Sequence, residues 1–416
     1  MRSLFINEFI MKKCAFTICA KNYLAQAITL KKSFEKHNDV IDFYIFLSDL
    51  TSEIVPSDVI LMDDSWIPRW EEMAFKYSVV EFSTSIKPFC FSKLFNEGYD
   101  EVMYLDPDIY VTAKLDYIYS LLDRKSIVLS PHYCKMQEYY TGAVTEEELL
   151  FVGIYNLGFA AIRNTEKGNL IIDWWKNRLV DKCYLDKWDG LHVDQKWMDF
   201  IPCFFPNDVE ITHHPGINPA IWNLHERELV IEDGNYRIKF VDDEKTYPLL
   251  FFHFSGFDPY NKLVINRRHP KFNSDCFPSY KPLIDEYVNE EYKNGYDDFS
   301  KCKYSFDTFT NGEKILPLNR RLYRRLYNGY LSNFFSVDGE LYKIFSRNNL
   351  CSGVKSLSVK SAFSPEEKLR AGKFQRFIIL FLKLVKKCLG VRYYGAFLHY
   401  MQDISRFDKQ DFLVKK

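Results

Sequence analysis

The segment Tyr104-Leu105-Asp106-Pro107-Asp108-Ile109-Tyr110 sets two carboxylates one residue apart, directly after an apolar run. Hard oxygen donors so placed suit Mg²⁺ or Mn²⁺, and the cation can then bridge the phosphates of a nucleotide. Pro107 stiffens the link and withdraws one backbone donor. A solvated turn is the plain alternative, because Asp-x-Asp is common by chance. A second segment, Phe251-Phe252-His253-Phe254-Ser255-Gly256-Phe257, brings a histidine out of an aromatic run. The small-residue turn after it has amides suited to an anion. As a third ligand, a neutral imidazole would add a nitrogen donor, which Mn²⁺ accepts better than Mg²⁺. The alternative for His253 is a core histidine bonded to backbone.

These groups need elements to carry them. Cys14–Ala20 is a short, apolar, β-prone run without alternation, which predicts a strand covered on both faces. Leu24–His37 has helical periodicity, with Leu24, Ile28 and Leu30 on one side and Lys31, Lys32 and Lys36 largely on the other. Phe43–Leu47 reads as a second buried strand, so the unit is β-α-β and implies a parallel sheet with a right-handed crossover. A helix over Lys87–Asn96, stopped at Gly98, leads into a third strand, Glu101–Leu105. Ile127–Leu129 and Gly158–Ile162 supply two more. Asp106 and Asp108 then follow a strand's carboxyl end, where open α/β sheets bind ligands.

Three regions are expected. Residues 12–275 form an α/β domain, and 276–364 a helical extension with helical patterns near Pro282–Tyr292 and Asn319–Phe334. Residues 365–416 form a basic amphipathic tail: Phe374, Phe377, Ile378, Phe381, Val385 and Cys388 share one helical face, opposite Arg376, Lys383 and Lys387. Such a helix suits peripheral contact with an anionic membrane surface, or packing on the α/β domain with its cations solvated.

Composition narrows the partners. Of 416 residues, 47% are hydrophobic and 27% charged, an ordinary globular balance that excludes wholesale disorder. Net charge is -1, so no global basic field exists to hold a nucleic acid. Aromatics reach 17%, suited to stacking on bases or sugar faces and equally to core filling. The ten cysteines show no metal-ligand spacing and lie mostly in apolar runs, which points to a reduced, cytoplasmic setting. No apolar run reaches the about 18 residues of a membrane-spanning helix. Residues 1–10 are not expected to be a signal peptide, and Met11 reads as an alternative start.

With these motifs in order, the chain resembles a GT-A glycosyltransferase, similar to the retaining family that holds bacterial lipopolysaccharide galactosyltransferases and glycogenin. Six stretches over about residues 13–260 carry the resemblance: Ala20-Lys21-Asn22-Tyr23 after the first strand, Lys87 (or Lys93) on the helix before Asp-x-Asp, Tyr104–Asp108, Tyr155-Asn156-Leu157-Gly158, Asp194-Gln195 and His253-x-x-Gly256. The resemblance implies a Rossmann-like, mostly parallel sheet flanked by helices, and transfer of a hexose from a nucleotide diphosphate sugar, a UDP-sugar by family habit. The acceptor would be a saccharide or lipid-linked glycan of surface polysaccharide synthesis, met at the inner face of the cell membrane. Asp106, Asp108 and His253 would hold Mn²⁺ or Mg²⁺. Tyr23 would stack on the base and Asn22 bond near it, with Thr17 and Ala20 lining the pocket through backbone. Asn156 would border the donor sugar, and Gly256 and Lys87 would approach the diphosphate. Gln195 would lie near the anomeric carbon, and Asn218 beside the acceptor cleft.

Two departures stand out. The family's cation after His-x-x-Gly is replaced by Phe257-Asp258-Pro259, with Lys262 only later, and Lys196 follows Gln195 where the family has an acid. Three other readings stay open: an inverting enzyme with Asp194 as base, a sugar-nucleotide nucleotidyltransferase, and a non-catalytic saccharide-binding relative. The nucleotidyltransferase would need a glycine-rich loop, which Thr17–Tyr23 lacks. The alternative for Asp194-Gln195 is a helix N-terminus, where Asp favours the dipole.

Overall fold

A computed structural model describes residues 11–50, 55–326, 331–351 and 365–414. The readings that fall on residues 1–10 and 352–364 lie outside the described residues, as does the side chain of Phe374. The chain divides into two compact units, one of residues 1–73 and 79–305, the other of residues 74–78 and 306–416.

The first unit is α/β, built on a seven-stranded sheet. Its first strand, β1 (Lys13–Cys19), is buried along almost its whole length because parallel neighbours flank it: β2 (Asp42–Leu47) on one side, and β4 (Glu101–Leu105) on the other. Beyond β2 lies β3 (Val59–Leu61), also parallel. Covered on both faces, such strands need continuous apolar side chains rather than alternation. Helix α1 (Leu24–His37) makes the crossover from β1 to β2 and sinks Leu24, Ala27, Leu30 and Phe34 into the core.

Two antiparallel pairings then gather the site. After β4 comes the short strand β5 (Ile109–Val111), then β6 (Ile127–Leu129). Strand β7 (Phe159–Arg163) runs antiparallel between β4 and β6, and β8 (Val209–Ile211) closes that edge parallel to β6. Because β7 starts where β4 ends, the Asn156-Leu157-Gly158 segment entering β7 lies against Asp106, whose amide donates to the Gly158 carbonyl at 2.7 Å. Strand β9 (Phe251–His253) pairs antiparallel with β5 in a register that sets His253 opposite Ile109, one residue from Asp108. Alternation-free apolar runs announce strands but not their direction.

Helix α2 (Lys87–Asn96) begins at Lys87 with Pro88 in its first turn and buries Phe89, Cys90, Phe91, Leu94 and Phe95. Helix α3 (Glu166–Lys182) is capped by the Thr165 side chain, and helix α4 (Lys281–Lys293) buries Leu283, Ile284, Tyr287 and Val288. The α4 side chains join a core with Phe252, Phe254 and Trp222. Tyr287 stacks flat on Phe254 with ring centroids 3.8 Å apart.

In the second unit, the Arg320 guanidinium donates to the carbonyls of Ala74, Phe75, Tyr77 and Phe306. The Phe75 ring meets Tyr323, Phe334 and Phe345. Helix Pro317–Leu326 covers the first part of the Asn319–Phe334 pattern, residues 327–330 lie outside the described residues, and residues 331–334 are not helical. The tail is helical over Pro365–Ile404 and breaks at Gly390, where φ is 73°.

The residue after His253 is a structural anchor. Phe254→Ala would delete a ring packed on Phe252, Phe257 and Tyr287. It is expected to cost about 3–5 kcal/mol, read as a lowered urea midpoint at unchanged m-value; a shift below about 1 kcal/mol would contradict this packing account.

Candidate active site

Asp106 and Asp108 leave the end of β4, and His253 arrives on β9. One ligand atom from each lies within 4.8 Å of the others. His253 Nε2 is 3.1 Å from Asp108 Oδ1 and 3.7 Å from Asp106 Oδ2, and its Nδ1 faces Asn218 Oδ1 at 3.1 Å. The imidazole is buried, the carboxylates only partly. Two hard oxygens and one imidazole nitrogen form a donor set that fits Mn²⁺, with Mg²⁺ the second choice. Both alternatives for these residues thereby lose ground: the Asp pair faces an imidazole rather than only solvent, and the histidine ring turns one nitrogen to carboxylates rather than to backbone.

Lys87 is the other charge at this point. Its side chain is 2% exposed, and Nζ lies 2.9 Å from Asp194 Oδ2 and 3.6 Å from Asp106 Oδ1, with a hydrogen bond of 2.8 Å to the Leu157 carbonyl. An ammonium at a helix N-terminus is opposed by burial and by the dipole. Burial alone would lower its pKa, but Asp194 and Asp106 outweigh that and hold it above the ordinary lysine value. Burial pushes the Asp194 carboxyl up to about 6, against the pull of Lys87. Asp194 stands at the head of the 3-10 helix Gln195–Phe200, yet its side chain makes no cap hydrogen bond. Its carboxylate pairs with Lys87 instead, and its carbonyl accepts from the Trp175 indole at 3.1 Å. Simple helix capping therefore does not explain Asp194.

Gln195 and Asn156 sit behind the ligands. Gln195 Oε1 accepts from the Leu157 amide at 3.0 Å and faces Asn156 Nδ2 at 3.3 Å, while its Nε2 donates to the Val152 carbonyl at 2.9 Å. Asn156 Oδ1 accepts from the Gly158 amide at 3.1 Å and from Asn218 Nδ2 at 3.0 Å. These residues line one cavity of about 430 Å³ together with Lys87, Asp106, Asp194, Trp222 and His253. That volume is in the range of small-molecule sites.

The β1 end supplies the remaining residues. Thr17 and Ala20 are buried, and Asn22 is half-buried in the turn Lys21–Tyr23. Tyr23 is 38% exposed. Partial burial and the Asp108 charge together push its phenol up to about 12, so the ring stands within electrostatic reach of Asp108. Gly256 turns the chain after His253 with φ 67°, a conformation that favours glycine.

Some expectations are redirected. Asn218 is fully buried behind His253, and its φ of 58° is one that asparagine tolerates. Lys262 pairs with Asp285 at 2.7 Å and Arg267 with Asp258 at 3.4 Å, whereas the Arg268 side chain lines the cavity with no acidic partner among the described residues. Arg268 was not singled out by sequence; the double Arg267-Arg268 after Asn266 was its available signal. Asn266 pins this turn by donating to the Ser255 carbonyl at 2.6 Å and accepting from the Arg268 amide at 2.8 Å. His132, which burial holds neutral by lowering its pKa to about 4, also lines the cavity, edge-on to Trp222. Its isolated position in the chain offered no signal.

No family model matches the chain. Among curated proteins, an uncharacterised protein of Bacillus subtilis (strain 168), YfnF, is 26% identical over 283 residues, covering 66% of this chain and 89% of that protein. Among solved structures, the galactosyltransferase LgtC in complex with donor and acceptor sugar analogues is similar at 15% identity and TM-score 0.39, covering 66% of this chain and 95% of that one. The glycosyltransferase GlyE of Streptococcus pneumoniae TIGR4 in its apo form aligns at 15% identity and TM-score 0.38, covering 72% of this chain and 67% of that one.

Gly158 tests the packing of the site. A Cβ there would lie 2.3 Å from His253 Cε1 and 2.8 Å from Nδ1. Gly158→Ala is expected to displace the imidazole and weaken Mn²⁺ binding at least about tenfold by calorimetry, with the far-ultraviolet spectrum unchanged. Wild-type affinity in this variant would show that the ring position does not matter.

Proposed function

We propose that the chain is a metal-dependent GT-A glycosyltransferase that moves a hexose from a nucleotide diphosphate sugar, a UDP-sugar, to a saccharide or lipid-linked glycan acceptor, with retention. The observation that carries this reading is convergence. Asp106, His253 and the Lys87–Asp194 pair come from separate stretches of chain and line one cavity beside the carboxyl end of β4, with Asp108 against His253.

A divalent cation held by Asp106, Asp108 and His253 would neutralise charge developing on the diphosphate as the bond to the anomeric carbon breaks. Lys87 keeps Asp106 compensated and its carboxylate oriented. Arg268 offers the cation that the Asp258 position lacks, a fork suited to phosphate oxygens. Tyr23, which is partly exposed, would stack on the base, with Asn22 beside it and the backbone of Thr17 and Ala20 as the floor. Asn156 borders the sugar, and the Gly256 turn lies toward the diphosphate. Gln195 acts by positioning, because its amide is engaged at both ends. Retention is favoured by the state of Asp194: an inverting base must be open to the acceptor, whereas this carboxylate is buried and paired with Lys87.

The basic tail supports a reading in which the acceptor is met at an anionic membrane face on the cytoplasmic side. Phe377, Phe381, Leu384 and Leu389 are exposed on helix Pro365–Ile404, as are Lys383, Lys386 and Lys387, and the sequence from Lys368 to Gln402 contains no acidic residue. No helix among the described residues is long and apolar enough to cross a membrane. A peripheral role fits this combination.

Two experiments test the proposal. Mn²⁺-dependent cleavage of a UDP-sugar, with the donor chosen by thermal-shift screening, is expected in the wild type and expected to fall at least about 10³-fold in Asp106→Ala and Asp108→Ala, with melting temperatures kept. Undiminished turnover in either would remove the metal role. Replacing Lys383, Lys386 and Lys387 together by Glu is expected to release the protein from phosphatidylserine vesicles at unchanged donor cleavage; retained binding would refute the membrane contact.

A further inference from the structure

Behind His253, three side-chain amides run in a line, and the backbone decides which way each one points. An amide side chain is ambiguous by itself, since its oxygen and nitrogen exchange places on a flip. A backbone N–H only donates and a carbonyl only accepts. The Leu157 amide donates to Gln195 Oε1 at 3.0 Å, and Gln195 Nε2 donates to the Val152 carbonyl at 2.9 Å, so that side chain has one orientation. The Gly158 amide donates to Asn156 Oδ1 at 3.1 Å, which turns Asn156 Nδ2 toward Gln195 Oε1 at 3.3 Å.

The polarity passes on. Asn156 Oδ1 is an acceptor, so the Asn218 atom 3.0 Å away is its Nδ2, and Asn218 Oδ1 must be the atom facing His253 Nδ1 at 3.1 Å. Asn218 is itself held from its own carbonyl, which accepts from Asn223 Nδ2 at 3.2 Å. An amide oxygen cannot donate, so Nδ1 carries a proton. In the neutral ring, Nε2 is then a bare lone pair, directed at Asp108 Oδ1 and Asp106 Oδ2. A lone pair facing two carboxylates is repulsive unless something positive lies among them.

We propose that Asn218 is the positioning residue that locks His253 in its Nδ1–H tautomer and so presents Nε2 to a divalent cation, with Asn156 and Gln195 as the frame that sets its polarity. This rests on the metal site read above and adds a residue that touches neither cation nor substrate. The left-handed backbone at Asn218 admits glycine and aspartate, which supplies variants free of backbone strain.

Histidine ¹⁵N spectra of the full chain at pH 9 read the tautomer without metal or donor, with His253→Asn identifying the signal. The wild type is expected to show the Nδ1–H form. Asn218→Gly, lacking the acceptor, is expected to show mixed tautomers and to lose about 10–100-fold in Mn²⁺ affinity by calorimetry. Asn218→Asp, which keeps the acceptor oxygen toward Nδ1 but loses the donor toward Asn156, is expected to retain the tautomer and recover part of the affinity. An Nε2–H form in the wild type, or a folded Asn218→Gly with wild-type spectrum, overturns the proposal. A loss of Mn²⁺ affinity without change of tautomer overturns it too. If the wild type shows the Nδ1–H form yet binds no Mn²⁺, the tautomer assignment survives and the metal-dependent reading is what fails.

Discussion

Two carboxylates one residue apart, partly withdrawn from water, repel each other and lose hydration together. Asp106 and Asp108 impose that constraint, and the surrounding structure answers it. Lys87 stands 3.6 Å from one acid and the Tyr104 hydroxyl donates to the same acid at 2.5 Å, while the His253 Nε2 lone pair that faces both acids adds to the repulsion. A cation in their midst would complete the compensation. Without such partners the pair would relax toward solvent and the cavity would lose its polar wall.

The answer has its own cost, since Lys87 is a buried ammonium. Burying a lone ion is costly, and its partner Asp194 is equally buried, so the two stand or fall together. Asp194 is held in turn by the Trp175 indole on its carbonyl. Trp175 thus belongs to the site indirectly, as a core side chain whose single polar atom fixes the backbone of an acid. The chain from α3 through Asp194 to Lys87 and Asp106 shows how a helix packed on the sheet's face reaches the chemistry at its edge.

Several parts of this arrangement were legible locally. The helix over Leu24–His37, the strand over Glu101–Leu105 and the helix from Lys87 emerge as their apolar periods and stop signals indicate. Asp-x-Asp after a strand was legible because a strand's end and a metal-binding pair both occupy a few adjacent residues. Asn218, Arg268 and His132 were not legible in these roles. Asn218 and His132 act through partners tens of residues away and Arg268 through a cavity that distant stretches assemble, and neither spacing nor composition records such neighbours.

The amino-acid order by itself determined the types of the longer elements, the parallel β-α-β start and the candidate oxygen ligands, since these depend on interactions between residues near in sequence. Tertiary structure alone decided that β7 and β9 run antiparallel to β4 and β5, and this direction brings Gly158 and His253 against Asp106 and Asp108. It also decided that Asp194 binds an ammonium rather than capping its helix. The reason is that strand direction, burial and ion pairing are settled by which distant surfaces meet, and a one-dimensional pattern carries the propensity of each surface but not its partner.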